Sequence, residues 1–159
     1  MGAIEIRHVM QNDPWGCVFA TLAMLTGREY DEIKSEVKER FPADSKSGFD
    51  KGINHMDAWE WLSEAGYFWQ QRYMYHYRSM PRDEWPPKPW CDLHYCEVVV
   101  SPSSPGSHAV VMLADGTVLD PLTLEPKRLT DYHKTNLVLG LMRRGNYRLD
   151  TPQPLGDDE

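Results

Sequence analysis

The apolar run Val18-Phe-Ala-Thr-Leu-Ala-Met-Leu25 constrains the fold of this chain more than any other segment. As a helix it has no polar face, and a helix that is apolar all round has to be covered on every side. Gly16 lets the backbone bend before the run, and Gly27 stands where helices commonly stop. The pattern therefore predicts a buried helix over 17–25, with the rest of the chain packed around it.

Two further helices are predicted after this one. Residues 30–40 keep a helical spacing of apolar residues, with charges on the other face. Asn54 is a suitable cap for a third helix that runs to Ala65. The side chains expected to face the core are Tyr30, Ile33 and Val37 in the second helix, and Met56, Trp59 and Leu62 in the third.

The second half of the chain favours strands. Strand patterns cover 67–77, 92–101, 107–114, 117–120 and 136–143, and residues 3–10 suit a short strand or an extended arm. Loops are expected over 42–53 and over 81–90, where four prolines exclude regular structure. Helices followed by an antiparallel sheet indicate an α+β fold. We expect one domain over 1–146 and a mobile acidic tail over 147–159.

Composition excludes several classes of partner. The chain has 159 residues and a net charge of −7, and its largest basic cluster is Arg143-Arg144, so nucleic acid is not an expected partner. No stretch approaches the roughly 20 apolar residues of a membrane span, and the first residues lack a signal-peptide pattern. We therefore expect a cytoplasmic protein that does not bind membranes. The sequence does not indicate an oligomeric state.

Four residues suggest nucleophilic catalysis. Cys17 begins the buried helix, where the helix dipole and free N–H groups favour a thiolate. His108 starts an apolar strand and could pair with that thiolate, while Asp120 could orient the imidazole. Gln11, six residues before Cys17, could donate its side-chain N–H₂ to an oxyanion beside the Cys17 backbone N–H.

The order Cys, His, Asp resembles that of papain-like cysteine peptidases. The segments 11–31 and 107–121 are most similar to the peptidase domains that process bacteriocin leaders on peptide exporters, although Val18 stands where those domains usually have glycine. The resemblance implies a papain-like fold with Gln11 as oxyanion donor, Cys17 as nucleophile, His108 as base and Asp120 as its orienter.

The function expected from these residues is a cysteine peptidase or related amide hydrolase that acts on a peptide or protein. Two alternatives stay open. A deamidase, transglutaminase or other acyl-transfer enzyme would use the same acyl-enzyme, and a non-catalytic protein-binding module could keep the same fold.

Three tryptophans and one glycine are candidates for substrate contact. Trp15 and Gly16 immediately precede the nucleophile, and Trp85 and Trp90 lie in the proline-rich loop. A second cluster, Cys91-Asp-Leu-His94-Tyr-Cys96, suggests zinc, but its spacing is not that of a structural zinc site. We interpret these cysteines as buried thiols and expect no metal and no cofactor.

The turn between the last two site residues allows a geometric test. With a two-residue loop, Asp115-Gly116, His108 and Asp120 would point to opposite faces of the hairpin. With a three-residue loop from Ala114, Val110 pairs with Asp120, and His108 shares its face. Gly116 can adopt the left-handed conformation that such loops need last, so we predict the longer loop and a positive φ at Gly116.

Overall fold

The structure is a computed structural model that describes residues 6–42, 54–74 and 93–142. Three helices come first and strands follow, which confirms the predicted α+β class. The helices are α1 (Cys17–Thr26), α2 (Tyr30–Arg40) and α3 (His55–Glu64). The strands are β1 (Phe68–Met74), β2 (Leu93–Ser101), β3 (Ser104–Leu113), β4 (Val118–Leu119) and β5 (Lys134–Met142), with a short 3₁₀ helix at Leu129–Asp131 between the last two.

The five strands form one antiparallel sheet in the order β1-β5-β2-β3-β4. The middle strand β2 pairs with β5 on one side and with β3 on the other. The hairpin β3–β4, which carries two of the predicted site residues, therefore forms one edge of the sheet.

The larger core lies between the helices and one face of the sheet. Every residue from Val18 to Leu25 is buried, as predicted for a helix without a polar face. It packs against α2, α3 and the sheet, and the Gly27 stop has a φ of 76°. Cys17 is thus the first residue of a helix whose position is fixed along its whole length.

A smaller core covers the opposite face of the sheet. Its strand residues include Cys96, Val110 and Met112, and the segment around the 3₁₀ helix closes it with Leu129 and Tyr132. This second core brings Tyr132 to the same region as the β3–β4 hairpin.

The predicted face of α3 is partly wrong. Met56 is 72 % exposed, whereas Leu62 is fully buried and Trp59 is partly buried. The buried stripe runs through Ala58, Trp61 and Leu62, which are three and four residues apart. Met56 is two residues from Ala58, which on a helix turns its side chain to the other side.

The remaining differences concern element ends. Residues 6–10 have no strand pairing, β3 begins earlier than predicted, and β4 contains two residues. The 3₁₀ helix was not predicted. The loop expected over 42–53 is described only at residue 42, and the loop expected over 81–90, the boundary at 146 and the tail over 147–159 lie outside the described residues. In the described part of the chain, no helix has the length and apolar character needed to cross a membrane.

Candidate active site

The β3–β4 turn has the predicted three-residue loop. Gly116 has a φ of 91°, and the backbone N–H of Leu113 donates to the carbonyl of Thr117 at 2.8 Å. Met112 pairs with Val118 in the same hairpin. This register continues to place Val110 opposite Asp120, so His108 and Asp120 share one face.

The two side chains meet directly. Nε2 of His108 lies 2.8 Å from Oδ1 of Asp120, and both side chains are buried. The imidazole has only one other nitrogen, Nδ1, for a second partner. The side chain of Cys17 is near enough to His108 to favour its protonated form. Cys17, His108 and Asp120 are therefore brought together in the predicted order.

The charge of His108 is stabilised by these two neighbours. Burial disfavours the protonated ring, but the hydrogen bond with Asp120 and the nearby side chain of Cys17 outweigh burial and raise the pKa of His108 to about 9. The ring is then an imidazolium at neutral pH, with Asp120 bonded to its Nε2 and Cys17 nearby.

Asp120 is held by more than the imidazole. Its Oδ2 accepts a hydrogen bond from the Tyr132 hydroxyl at 2.6 Å, and its Oδ1 accepts one from the Leu122 N–H at 2.8 Å. Burial raises the pKa of Asp120, but the hydrogen bonds from His108 and Tyr132 outweigh it, and the net shift is downward. Tyr132 was missed by the sequence analysis, because nothing local marks a tyrosine twelve residues after Asp120 as its partner.

Cys17 is half-buried at the first position of α1. The preceding residue, Gly16, has no side chain to cap the helix, and its own N–H donates to the Asp13 carbonyl at 3.1 Å. The first N–H groups of an α-helix have no partners within the helix. The backbone N–H of Cys17 is accordingly in a position to donate to the oxyanion that forms when the Cys17 sulfur attacks a carbonyl carbon.

Gln11 lies beside this helix end but has other partners. Its Nε2 donates to the carbonyls of Asp13 at 2.8 Å and Pro14 at 3.1 Å, so both amide protons are engaged. Its Oε1 is buried and has no hydrogen-bond partner among the described residues. Donation from Gln11 to an oxyanion therefore requires one of these two bonds to give way, and its role stays a prediction.

The turn at 13–16 is fixed from α2. Asp13 accepts hydrogen bonds from the Tyr30 hydroxyl at 2.7 Å and from Lys34 Nζ at 2.9 Å. Gly16 is buried, and a Cβ atom there would overlap the Tyr30 hydroxyl. Glycine is thus required at 16 by a close approach that sets the position of Cys17.

The N-terminal arm ties the two halves of the site together. His8 Nε2 lies 2.8 Å from the backbone oxygen of Asp120, and the Gln11 N–H donates to the Pro121 carbonyl at 3.0 Å. The segment that leads to the nucleophile is therefore bonded to the segment that carries Asp120. His8, like Tyr132, was not singled out by the sequence analysis.

Of the candidate substrate contacts, Trp15 is 56 % exposed beside Cys17, which suits a surface that meets a ligand. Gly16 is buried against Tyr30 and serves the local packing. Trp85 and Trp90 lie outside the described residues. Whether any of these contacts substrate stays a prediction.

A second polar pair lies close to the site. Nδ1 of His55, at the start of α3, is 2.6 Å from the hydroxyl of the fully buried Tyr95. Burial is the main cause that raises the pKa of Tyr95, and the charge of Cys17 adds to it. Neither residue was singled out from the sequence, since their meeting depends on how α3 packs on β2.

The cysteine-histidine cluster is buried where it is described. Cys96 is a free, fully buried thiol, and burial raises its pKa. His94 Nδ1 lies 3.1 Å from the Met112 carbonyl oxygen. Within 6–42, 54–74 and 93–142, no three His, Cys, Asp or Glu side chains converge as metal ligands would. Cys91 lies outside these residues.

No known protein-family model matches this chain, and no curated protein matches its sequence. Conclusions about its function therefore depend on the geometry of its own residues.

Proposed function

We propose that this protein is a papain-like cysteine hydrolase that cleaves amide bonds in a peptide or protein. The observation that carries the proposal is the arrangement of Cys17, His108 and Asp120, in which His108 is bonded to Asp120 at 2.8 Å and the neighbouring Cys17 favours the protonated ring. This is the arrangement of a nucleophile, its base and a group that orients the base. A structural role alone would not need a half-exposed thiol at a helix start.

The chemistry follows from these positions. The Cys17 thiolate attacks the amide carbonyl, and the oxyanion that forms is stabilised by the Cys17 N–H. The tetrahedral intermediate collapses, the C–N bond breaks, and the His108 imidazolium gives its proton to the leaving amine. His108 then takes a proton from water, which attacks the thioester and releases the acid and the Cys17 thiolate.

The part of Asp120 is to hold the ring of His108 rather than to carry the proton. Tyr132 and the Leu122 N–H fix the carboxylate, and the carboxylate holds Nε2 of His108. Orienting the base in this way keeps the reacting atoms close to the geometry of attack.

The test compares the purified protein with Cys17→Ala in a cell lysate analysed by mass spectrometry. New peptide termini that depend on Cys17 are expected, and Cys96→Ala, which removes a buried thiol, serves as the control that keeps them. Incorporation of an added amine label would instead assign acyl transfer, and the small mass gain of deamidation would assign a deamidase. If an electrophilic cysteine probe does not label Cys17 and no product depends on it, the enzyme proposal is wrong, and a binding module is favoured.

A further inference from the structure

Glu97 lies on β2 beside the strand segment that carries His108. Val98 pairs with His108, and Glu97 pairs with the next residue, Ala109. The residue before His108, Ser107, is diagonal to Glu97 on the same face of the sheet. Both of these neighbours, Ser107 and Ala109, have small side chains.

The carboxylate is held from one side only. Ser107 Oγ donates to its Oε2 at 2.8 Å, and Asn136 Nδ2 donates to the same oxygen at 3.2 Å. No donor among the described residues bonds to Oε1, and this atom is not sealed in the interior. Glu97 therefore has a fixed orientation and one open oxygen.

Among the described residues, no ion pair neutralises the charge of this carboxylate. The ion pairs of the described residues join other groups, and none includes Glu97. A half-buried carboxylate with two neutral donors keeps its attraction for a cation that can reach it.

The charge of Glu97 affects two side chains, His55 and Tyr95, that also feel the charges of the proposed catalytic residues. Burial is the main cause that lowers the pKa of His55, while the charge of Glu97 opposes this and that of His108 adds to it. Tyr95 likewise feels the charges of both Cys17 and Glu97. Glu97 thus acts on His55 and Tyr95, the same side chains on which His108 and Cys17 act, although it takes no part in the proposed chemistry.

We infer that Glu97 forms the anionic wall of a substrate subsite beside Cys17, and that this subsite takes a lysine or arginine side chain. The inference rests on the proposed function and names its substrate class. The ammonium or guanidinium group would bond to Oε1, while Ser107 and Asn136 hold Oε2 in place. Glu97 is therefore a specificity-determining residue.

A first experiment measures the field at Cys17 without any substrate. Two methanethiosulfonates of similar size, the cationic aminoethyl and the anionic sulfonatoethyl reagent, are reacted with the protein, and Cys17 modification is followed by mass spectrometry. We expect the ratio of the cationic to the anionic rate to fall about tenfold in Glu97→Gln. The control is Glu39→Gln, the same charge change on an exposed part of α2, which should leave the ratio unchanged. Glutamine keeps an oxygen for Ser107 and Asn136, so the fold is preserved.

A second experiment profiles cleavage of a peptide library by the wild type, Glu97→Gln and Glu97→Lys. The wild type should enrich lysine or arginine at one position near the cleaved bond, Glu97→Gln should lose this enrichment, and Glu97→Lys should favour acidic residues there. Cleavage without a basic preference, or an unchanged reagent ratio in Glu97→Gln, would overturn the inference and leave the proposed function standing. If nothing is cleaved and electrophilic probes do not label Cys17, the proposed function fails. A ratio of methanethiosulfonate rates that still falls in Glu97→Gln would then support the anionic subsite by itself.

Discussion

At the scale of single residues, the protonation of the His108 imidazole depends on the charge at Asp120. The two groups are buried and bonded at 2.8 Å, and together with Cys17 this pairing raises the pKa of His108 to about 9. The protonated ring is the proposed acid for the leaving amine. Activity should therefore persist through neutral pH and decline as pH rises through the pKa of the ring.

Replacing Asp120 by asparagine should move this decline to lower pH. Asparagine keeps the size of the side chain but removes the charge that favours the imidazolium, so the pKa of His108 falls. The measurement is kcat/KM against pH on a peptide substrate. Asp31→Asn, an exposed change on α2, is the matched control and should leave the profile unaltered. An alkaline limb that is the same in Asp120→Asn and the wild type would remove Asp120 from the mechanism.

Gln11 offers a choice between two roles that kinetics can separate. As an oxyanion donor, Gln11→Ala should lower turnover about a hundred- to a thousand-fold with little change in KM. As a brace for the carbonyls of Asp13 and Pro14, its loss should instead lower thermal stability and disturb both constants. We expect the first result, with kcat, KM and the unfolding midpoint measured on the same samples. A change in KM alone would assign Gln11 to substrate contact.

At the scale of elements, α1 is placed against α2 by the contact between Gly16 and Tyr30. The φ of Gly16 is −97°, which any residue can adopt, so only the missing side chain matters there. Gly16→Ala should push the Tyr30 hydroxyl away, displace Cys17 and lower activity by at least about tenfold. The double variant with Tyr30→Phe removes the overlapping oxygen and should recover part of the loss.

Gly27→Ala gives the contrasting control at the other end of α1. A side chain at Gly27 meets no atom within 4 Å, but the φ of 76° strains any residue with a Cβ. We expect a loss of about 1 kcal/mol in the free energy of unfolding and unchanged reactivity of Cys17. If the double variant at 16 and 30 were no better than Gly16→Ala, the proposed steric role of Gly16 would be wrong.

The elements show what sequence could predict and where it failed. The bounds of α1 and α2 followed from apolar spacing, and the β3–β4 register followed from one glycine that could take a positive φ. Tyr132 and His8 could not be found in this way, because their contacts with Asp120 arise only when distant segments pack. The prediction that Met56 faces the core was wrong, because it took Trp59 as the centre of the buried face of α3. The buried stripe instead runs through Trp61.

At the scale of the whole molecule, the fold is two cores on opposite faces of one sheet, with the site beside them. Leu22 is fully buried in α1, so Leu22→Ala should lower the free energy of unfolding by about 2–5 kcal/mol. Leu124, which is 70 % exposed, provides the matched control, and Leu124→Ala should change the free energy of unfolding by less than about 0.5 kcal/mol. Both are measured by denaturant titration, and equal effects would mean that α1 is not the centre of the core.

The proposal that His108 activates Cys17 as the nucleophile is tested most directly by alkylation of Cys17. Iodoacetamide labelling is followed at each cysteine by mass spectrometry in mildly acidic solution, for the wild type and for His108→Gln. Cys17 should react much faster than Cys96, which is fully buried, and also faster than Cys91, and this advantage should be lost in His108→Gln. A Cys17 that reacts no faster than the other two, or equally fast without His108, would contradict the proposal.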